Sequence, residues 1–253
     1  MGVKGRWARL WIDTSEFSTR VMSATLNTQM TEEDVTAWQD TAKRSIVTGS
    51  DSSLELNGYL EALGDSAGGL DRAFWRRFGV DTLSTVPVRV GVMFAEAATG
   101  EAGMPAYVFP QTYTDQITIA SPATGIHTID GRFVGGAGGM QRGLVLWRGE
   151  VTATGAKTGV DFATAGSTGG NVYVWVSAIT GTATNATVVI ESSVPGTYVT
   201  EATVTFNGTG AQAATMTGAI GSLIRANITS MGGATAFTLA VVACVNGVTQ
   251  SLG

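Results

Sequence analysis

Charge almost vanishes from this chain after residue 150. Residues 1–150 carry 30 charged side chains, whereas residues 151–253 carry five: Lys157, Asp161, Glu191, Glu201 and Arg225. A stretch so poor in charge must face water with Thr, Ser, Asn and backbone, and its Thr, Val, Ala and Gly suit strands and turns better than helices. Short β-branched runs fall at Val172–Ile179, Asn185–Glu191, Tyr198–Phe206, Leu223–Thr229 and Ala236–Val245. Turn residues separate them, at Pro195-Gly196, Asn207-Gly208 and Gly232-Gly233. The pattern predicts a small antiparallel β-sandwich over residues 151–253, and the break in composition predicts a domain boundary near Glu150.

The first 150 residues also read as mainly β, with one short α-helix. Leu54, Leu56 and Leu60 alternate with Glu55, Asn57 and Glu61, as in a strand with one wet face. Val86, Val88, Val90, Val92 and Phe94 form a second core-facing row. His127–Val134 and Arg142–Arg148 flank Gly135–Gly139, which predicts a hairpin with a glycine tip. The helix is expected over Gly69–Phe78, where Leu70, Ala73, Phe74 and Phe78 share a face and Gly79 stops the turn. Thr31-Glu-Glu-Asp34 fits a capping box and would open a second short helix, or else a loop.

Several kinds of chemistry are excluded by residue supply. The net charge is −5 and the pI about 4.9, whereas gripping nucleic acid needs a surplus of Lys and Arg. With one Cys (Cys244) and one His (His127), the chain can form neither an internal disulfide nor a zinc site of Cys and His. Glu32, Glu33 and Asp34 lack the alternating spacing of a calcium loop. Gly155-Ala-Lys-Thr158 has Ala156 where a phosphate loop needs Gly. Arg72, Arg76 and Arg77 read as the polar face of the helix. The N-terminus has no signal-peptide core, and the twelve residues Ala234–Val245 fall short of the ~20 that a membrane helix needs.

Gly64-Asp-Ser-Ala-Gly68 matches a nucleophile elbow, and Ser66, then Asp81 or Asp115, then His127 stand in the order of a hydrolase triad. The strand before it, however, alternates polar and apolar residues, whereas an elbow strand is apolar on both faces. A polar turn between strand and helix accounts for the same letters. The reading is that this is not an enzyme, with no catalytic residue, no cofactor and no metal.

Three N-terminal segments carry a family resemblance. Leu10-Trp-Ile-Asp-Thr14, Asp34-Val-Thr-Ala-Trp-Gln-Asp-Thr-Ala-Lys-Arg44 and Ser53-Leu-Glu-Leu-Asn-Gly-Tyr-Leu60 resemble the major tail tube proteins of long-tailed (siphovirus-like) bacteriophages. Gln39 replaces the family's usual Gly, and Thr48-Gly49 its usual Pro-Gly turn. Val188–Ser192, Thr203–Phe206 and Leu223–Asn227 are similar to an accessory β-sandwich appended to tail proteins.

The resemblance implies a tail-tube β-sandwich or barrel domain over residues 1–150 and an outer decoration domain over 151–253. It implies a structural virion protein, assembled in the host cytoplasm, whose copies form stacked, six-fold rings around a genome conduit. The implied partners are further copies of the chain, tape-measure, tail-terminator and baseplate proteins, and double-stranded DNA that passes without specific binding. No membrane insertion is expected. Lys43, Arg44, Glu101 and Gly136 are candidate inter-ring contacts, because each lies in a segment expected to be a loop or hairpin tip. Glu55, Asn57 and Glu61 are candidates for a polar face toward lumen or solvent. The alternative is a carbohydrate-binding or adhesion β-sandwich of a virion or cell surface, using Trp147, Tyr173 or Trp175 as a stacking platform. Their position inside strand runs favours core packing instead.

Overall fold

A computed structural model describes residues 8–13, 15–17, 21–34, 45–59, 69–75, 88–94, 101–136, 139–162, 167–194 and 197–246. In chain order the first elements are β1 (Ala8–Ile12), β2 (Ser15–Glu16), β3 (Val21–Asp34), β4 (Ser45–Tyr59), α1 (Leu70–Trp75), β5 (Val88–Phe94) and β6 (Pro105–Ala120). Next come β7 (Thr128–Gly135), β8 (Gln141–Val151), β9 (Gly155–Ala156), β10 (Val160–Asp161) and β11 (Ser167–Gly181). The last are β12 (Ala186–Val194), β13 (Thr197–Phe206), β14 (Gly210–Ile220), β15 (Leu223–Ser230) and β16 (Ala234–Val245). The described chain is nearly all β and its strands pair antiparallel.

The chain divides into two units: residues 1–18, 90–108 and 141–253 form one, residues 19–89 and 109–140 the other. This differs from the boundary expected near Glu150. Strand β8, which ends at Val151, pairs with β16 from Leu144↔Ala243 to Val151↔Phe237. Charge density reports which surfaces meet water; it is blind to which strands share hydrogen bonds.

In the first unit, strands run in the order β14-β11-β16-β8-β6-β5-β1-β2, and a smaller sheet has the order β10-β15-β12-β13 with β9 beside β15. From Val172 to Val176, strand β11 is buried on both faces. Val172, Val174 and Val176 enter the core against the smaller sheet, where Ile190, Ile224, Val204 and Phe206 meet them. Tyr173 and Trp175, one residue out of phase, enter a second core with Trp11, Met93, Ala106 and Val108. The same double alternation marks β16, with Leu239, Val241 and Ala243 on one side and Ala240, Val242 and Cys244 on the other. The large sheet therefore curls until β1 lies over β11, and Trp11 stacks on Trp175 with centroids 5.7 Å apart and planes at 24°. Gly91 makes this possible, since a Cβ there would sit 2.8 Å from the Trp175 ring.

The smaller sheet carries one inward irregularity. The pairing of β12 with β13 shifts between Ile190 and Glu191, and Glu201 turns inside, only 9% exposed. The Ser192 hydroxyl donates to its carboxylate at 2.5 Å and accepts the Gly221 N–H at 3.0 Å.

The second unit is a four-stranded sheet in the order β3-β4-β7-β6, with β6 represented by residues from Phe109 onward. One face packs Leu54, Leu56, Ile129 and Phe133 with Leu70 and Phe74 of α1, all buried. Phe74 and Phe133 lie 5.1 Å apart, and Gly131 leaves the space that the Phe74 ring occupies.

Other sequence expectations need correction. Residues Thr31–Asp34 end a 14-residue strand rather than opening a helix. The segment 41–53 that carries Lys43 and Arg44 is expected as a loop, but its residues 45–53 belong to β4. The hairpin of β7 with β8 does not form: β7 pairs with β4 and with residues 112–120 of β6, and β8 with residues 105–108 of β6 and with β16.

Replacing Trp175 with Ala empties the second core and is expected to cost about 3–5 kcal/mol, read by urea denaturation. A chain ending at Glu150 strips β8 of β16, so it should lose cooperative unfolding of the remaining first-unit strands and bind a hydrophobic dye. Burial pushes the Cys244 thiol up to about 12. The folded state then holds that proton where the unfolded thiol releases it, so stability should fall as pH rises from about 9 toward 12. At neutral pH Cys244 should resist a thiol reagent until the protein unfolds.

Candidate functional site

The face of the second unit's sheet opposite α1 is polar, because period-two alternation sends every second residue there. Cross-strand register aligns Asn27, Ser53, Val134 and Tyr113 in one row, and Thr25, Glu55, Arg132 and Gln116 in the next. The register of β6 against β7 shifts between Thr114 and Gln116, which leaves Asp115 as the extra residue of a bulge. That bulge delivers Asp115 to Arg132. The Arg132 Nε donates to Asp115 Oδ1 at 2.9 Å, and its Nη2 donates to Oδ2. The Asp115 hydrogen bond, and then its charge, raise the Arg132 pKa.

Two depressions open on this face. One of about 360 Å³ is lined by Ser23, Asn57, Asp130 and Gln116 among others, and one of about 800 Å³ by Asn27, Gln29, Asp51, Ser53 and Tyr113 among others. Glu55 and Arg132 border both. Asn57 donates to Asp130 across the β4–β7 pair, and Asn27 donates to Glu55 at 3.4 Å. Asp51, Glu55, Asp115 and Asp130 stand against the single guanidinium of Arg132, so the lining is acidic.

Of the polar-face candidates, Glu55 and Asn57 sit here, exposed and half-buried, while Glu61 lies outside the described residues. Tyr113, Asp115 and Arg132 were not singled out for this face. The alternation of Asp130, Arg132 and Val134 with Ile129, Gly131 and Phe133 was a usable signal; the bulge at Asp115 had none.

The expected inter-ring residues are dispersed. Lys43 and Arg44 lie outside the described residues. Gly136 is half-buried after β7, its N–H donating to the Gln111 carbonyl at 2.8 Å. Glu101 is not on a free tip but buried, 8% exposed, in an ion cluster of the first unit. Arg148 Nη1 donates to both Glu101 oxygens at 3.1 Å, and Arg148 Nη2 to Glu16 at 2.8 and 3.1 Å. Arg9 Nε reaches Glu101 at 3.1 Å. Two guanidiniums thus match two carboxylates and fasten β1 and β2 to β8.

Tyr173 and Trp175 are core residues at 2% exposure, and the Tyr173 hydroxyl donates to Gln141 at 3.0 Å. Trp147 is half-buried with the Lys157 ammonium 4.5 Å over its ring. None of the three forms an open platform. Ser66 and Asp81 lie outside the described residues, His127 is exposed in the β6–β7 loop, and Asp115 is held by Arg132.

No protein-family model matches the sequence, and no curated protein matches it. Among solved structures, the chain is similar to a chain of an extracellular contractile injection system's sheath–tube complex in the extended state. That match has 7% identity over 57% of this chain and 93% of the other, with a TM-score of 0.43. A chain of a native gene transfer agent virion is 11% identical, covering 55% and 97% respectively, with a TM-score of 0.37. The SPP1 Dit protein is 12% identical, covering 94% and 98%, with a TM-score of 0.33.

Replacing Arg148 with Ala leaves Glu16 and Glu101 to share the single guanidinium of Arg9 in a half-buried site. It should destabilise the first unit by about 2–4 kcal/mol, below the full penalty for a deeply buried pair, in a urea titration. Arg148→Lys, which cannot fork to two carboxylates, should recover only part of the loss.

Proposed function

We propose that this chain is a structural subunit of a bacteriophage tail, whose copies join edge to edge into rings that stack as a tube. The observation that carries this reading is the edge of the second unit's sheet. Strand β3 runs for 14 residues and pairs with β4 alone among the described residues. Between its two bulges, from Ser23 to Thr31, it contains no Pro and no charged side chain, devices that keep such an edge from pairing with another chain. One face of the sheet is closed by α1 and the other is polar, so the edge is the surface left for continuing the sheet. Head-to-tail addition of identical sheets closes into a ring when the rotation between copies permits. The family resemblance of the N-terminal segments supplies the hexameric number, the genome conduit, and the tape-measure, terminator and baseplate partners.

The net charge of −5 suits a conduit, because a wall that weakly repels phosphate lets DNA slide. Lys43 and Arg44 are the cations expected to contact the next ring, and the virion tail is the site of action.

Thr25→Lys with Gln29→Lys places two charges along the β3 edge without entering a core. The subunit should keep its circular dichroism and melting temperature but no longer form rings or filaments by sedimentation and negative-stain imaging. A wild-type chain that stays monomeric at high concentration would count against the proposal.

A further inference from the structure

We propose that the larger depression on the polar face of the second unit, walled by Tyr113, binds a neutral oligosaccharide. The proposal goes beyond the structural role above and draws only on this unit's own surface. A pyranose offers an apolar face of C–H groups and a rim of hydroxyls, so its sites combine an open aromatic ring with convergent short polar side chains. Tyr113 is 40% exposed and stands in register with Val134, which gives the floor an apolar strip. Around it lie Asn27, Ser53, Glu55 and Arg132, which present acceptors and donors at the same level.

The site has features of a built one. The bulge at Asp115 breaks the β6 register next to Tyr113, and bulges of this kind re-aim side chains beside binding sites. The two-pronged hold of Asp115 on Arg132 fixes the guanidinium in place before any ligand arrives. At about 800 Å³ the depression lies within the range of small-ligand sites, and its neighbour of about 360 Å³, sharing Glu55 and Arg132, extends it across the sheet. That extension favours a chain of sugars over a single one.

Charge selects among ligands. The carboxylates of Asp51, Glu55 and Asp115 outnumber Arg132, which disfavours sulfated or sialylated glycans and nucleic acid. The polar lining disfavours a purely apolar ligand. Among the described residues no three His, Cys, Asp or Glu side chains gather as a metal site.

The test uses the full chain at dilution, with sedimentation run in parallel so that assembly and binding are read separately. It is applied to an array of neutral oligosaccharides of glucose, galactose and N-acetylglucosamine, with spermidine and heparin as charged probes. The wild type should retain at least one neutral series. Tyr113→Phe should keep that binding, and Tyr113→Ala should lose about tenfold with an unchanged melting temperature. Glu55→Gln, which preserves hydrogen bonding, should keep most of the neutral binding. Failure of every neutral sugar at millimolar concentration overturns the proposal, as does a Tyr113→Ala variant that binds like the wild type. Retention of spermidine alone, lost in Glu55→Gln, would make the depression an amine site and overturn it equally.

Discussion

The first unit depends on one strand that, from Val172 to Val176, has no solvent face. Strand β11 feeds Val172, Val174 and Val176 into one core and Tyr173 and Trp175 into another. A sheet strand can do this only if something packs on each side, and here the same sheet supplies one of the two covers by curling β1 back over it. The Trp11–Trp175 stack closes that curl. Two cores sharing a strand are coupled, because moving Trp175 displaces the backbone that positions Val174 and Val176. Damage to either core is therefore felt in the other, which is the reason a single aromatic truncation should act on the whole unit.

The Arg9, Glu16, Glu101 and Arg148 cluster serves the same closure by different physics. The stack joins β1 to β11 through apolar contact, and the cluster joins β1 and β2 to β8 through paired charge. Hydrophobic burial supplies most of the gain on folding but is indifferent to small displacements. Forked guanidinium–carboxylate pairs are exacting about geometry, so they set where the curled edge comes to rest.

Much of the strand architecture was legible in the sequence, and the failures share a cause. The five β-branched runs of the second half lie in strands, with Asn185 alone left in the turn before β12, because Val, Ile and Thr at alternate positions leave little choice. Strand β14 was invisible, since Gly210-Ala-Gln-Ala-Ala-Thr-Met carries almost no β-branched residue and is a strand only because β11 offers it a ladder. Thr31–Asp34 looked like a helix start because capping boxes are local signals, whereas the pairing with Ser45–Gly49 that claims it is not. The charge break at Glu150 falls inside the first unit for a similar reason: composition is read along the chain and strand pairing is not. At the candidate site, Glu55 and Asn57 were legible from alternation with Leu54 and Leu56. Asp115 there, and the burial of Glu101 in the first unit's ion cluster, were not, because a bulge and an ion pair 47 residues apart leave no local trace.

The inward Glu201 has a consequence for how the smaller sheet finds its alignment. Sliding β12 by two residues against β13 would return every apolar side chain to the correct face, so hydrophobicity alone tolerates that error. The slip would also carry the Ser192 hydroxyl away from Glu201 and leave a carboxylate in the interior with no donor. An uncompensated buried charge costs several kcal/mol, far more than a carboxylate satisfied by a hydroxyl. The inward Glu201 thus acts as a proofreading element, penalising the misaligned sheet that the Thr, Val and Ala of this region would otherwise accept.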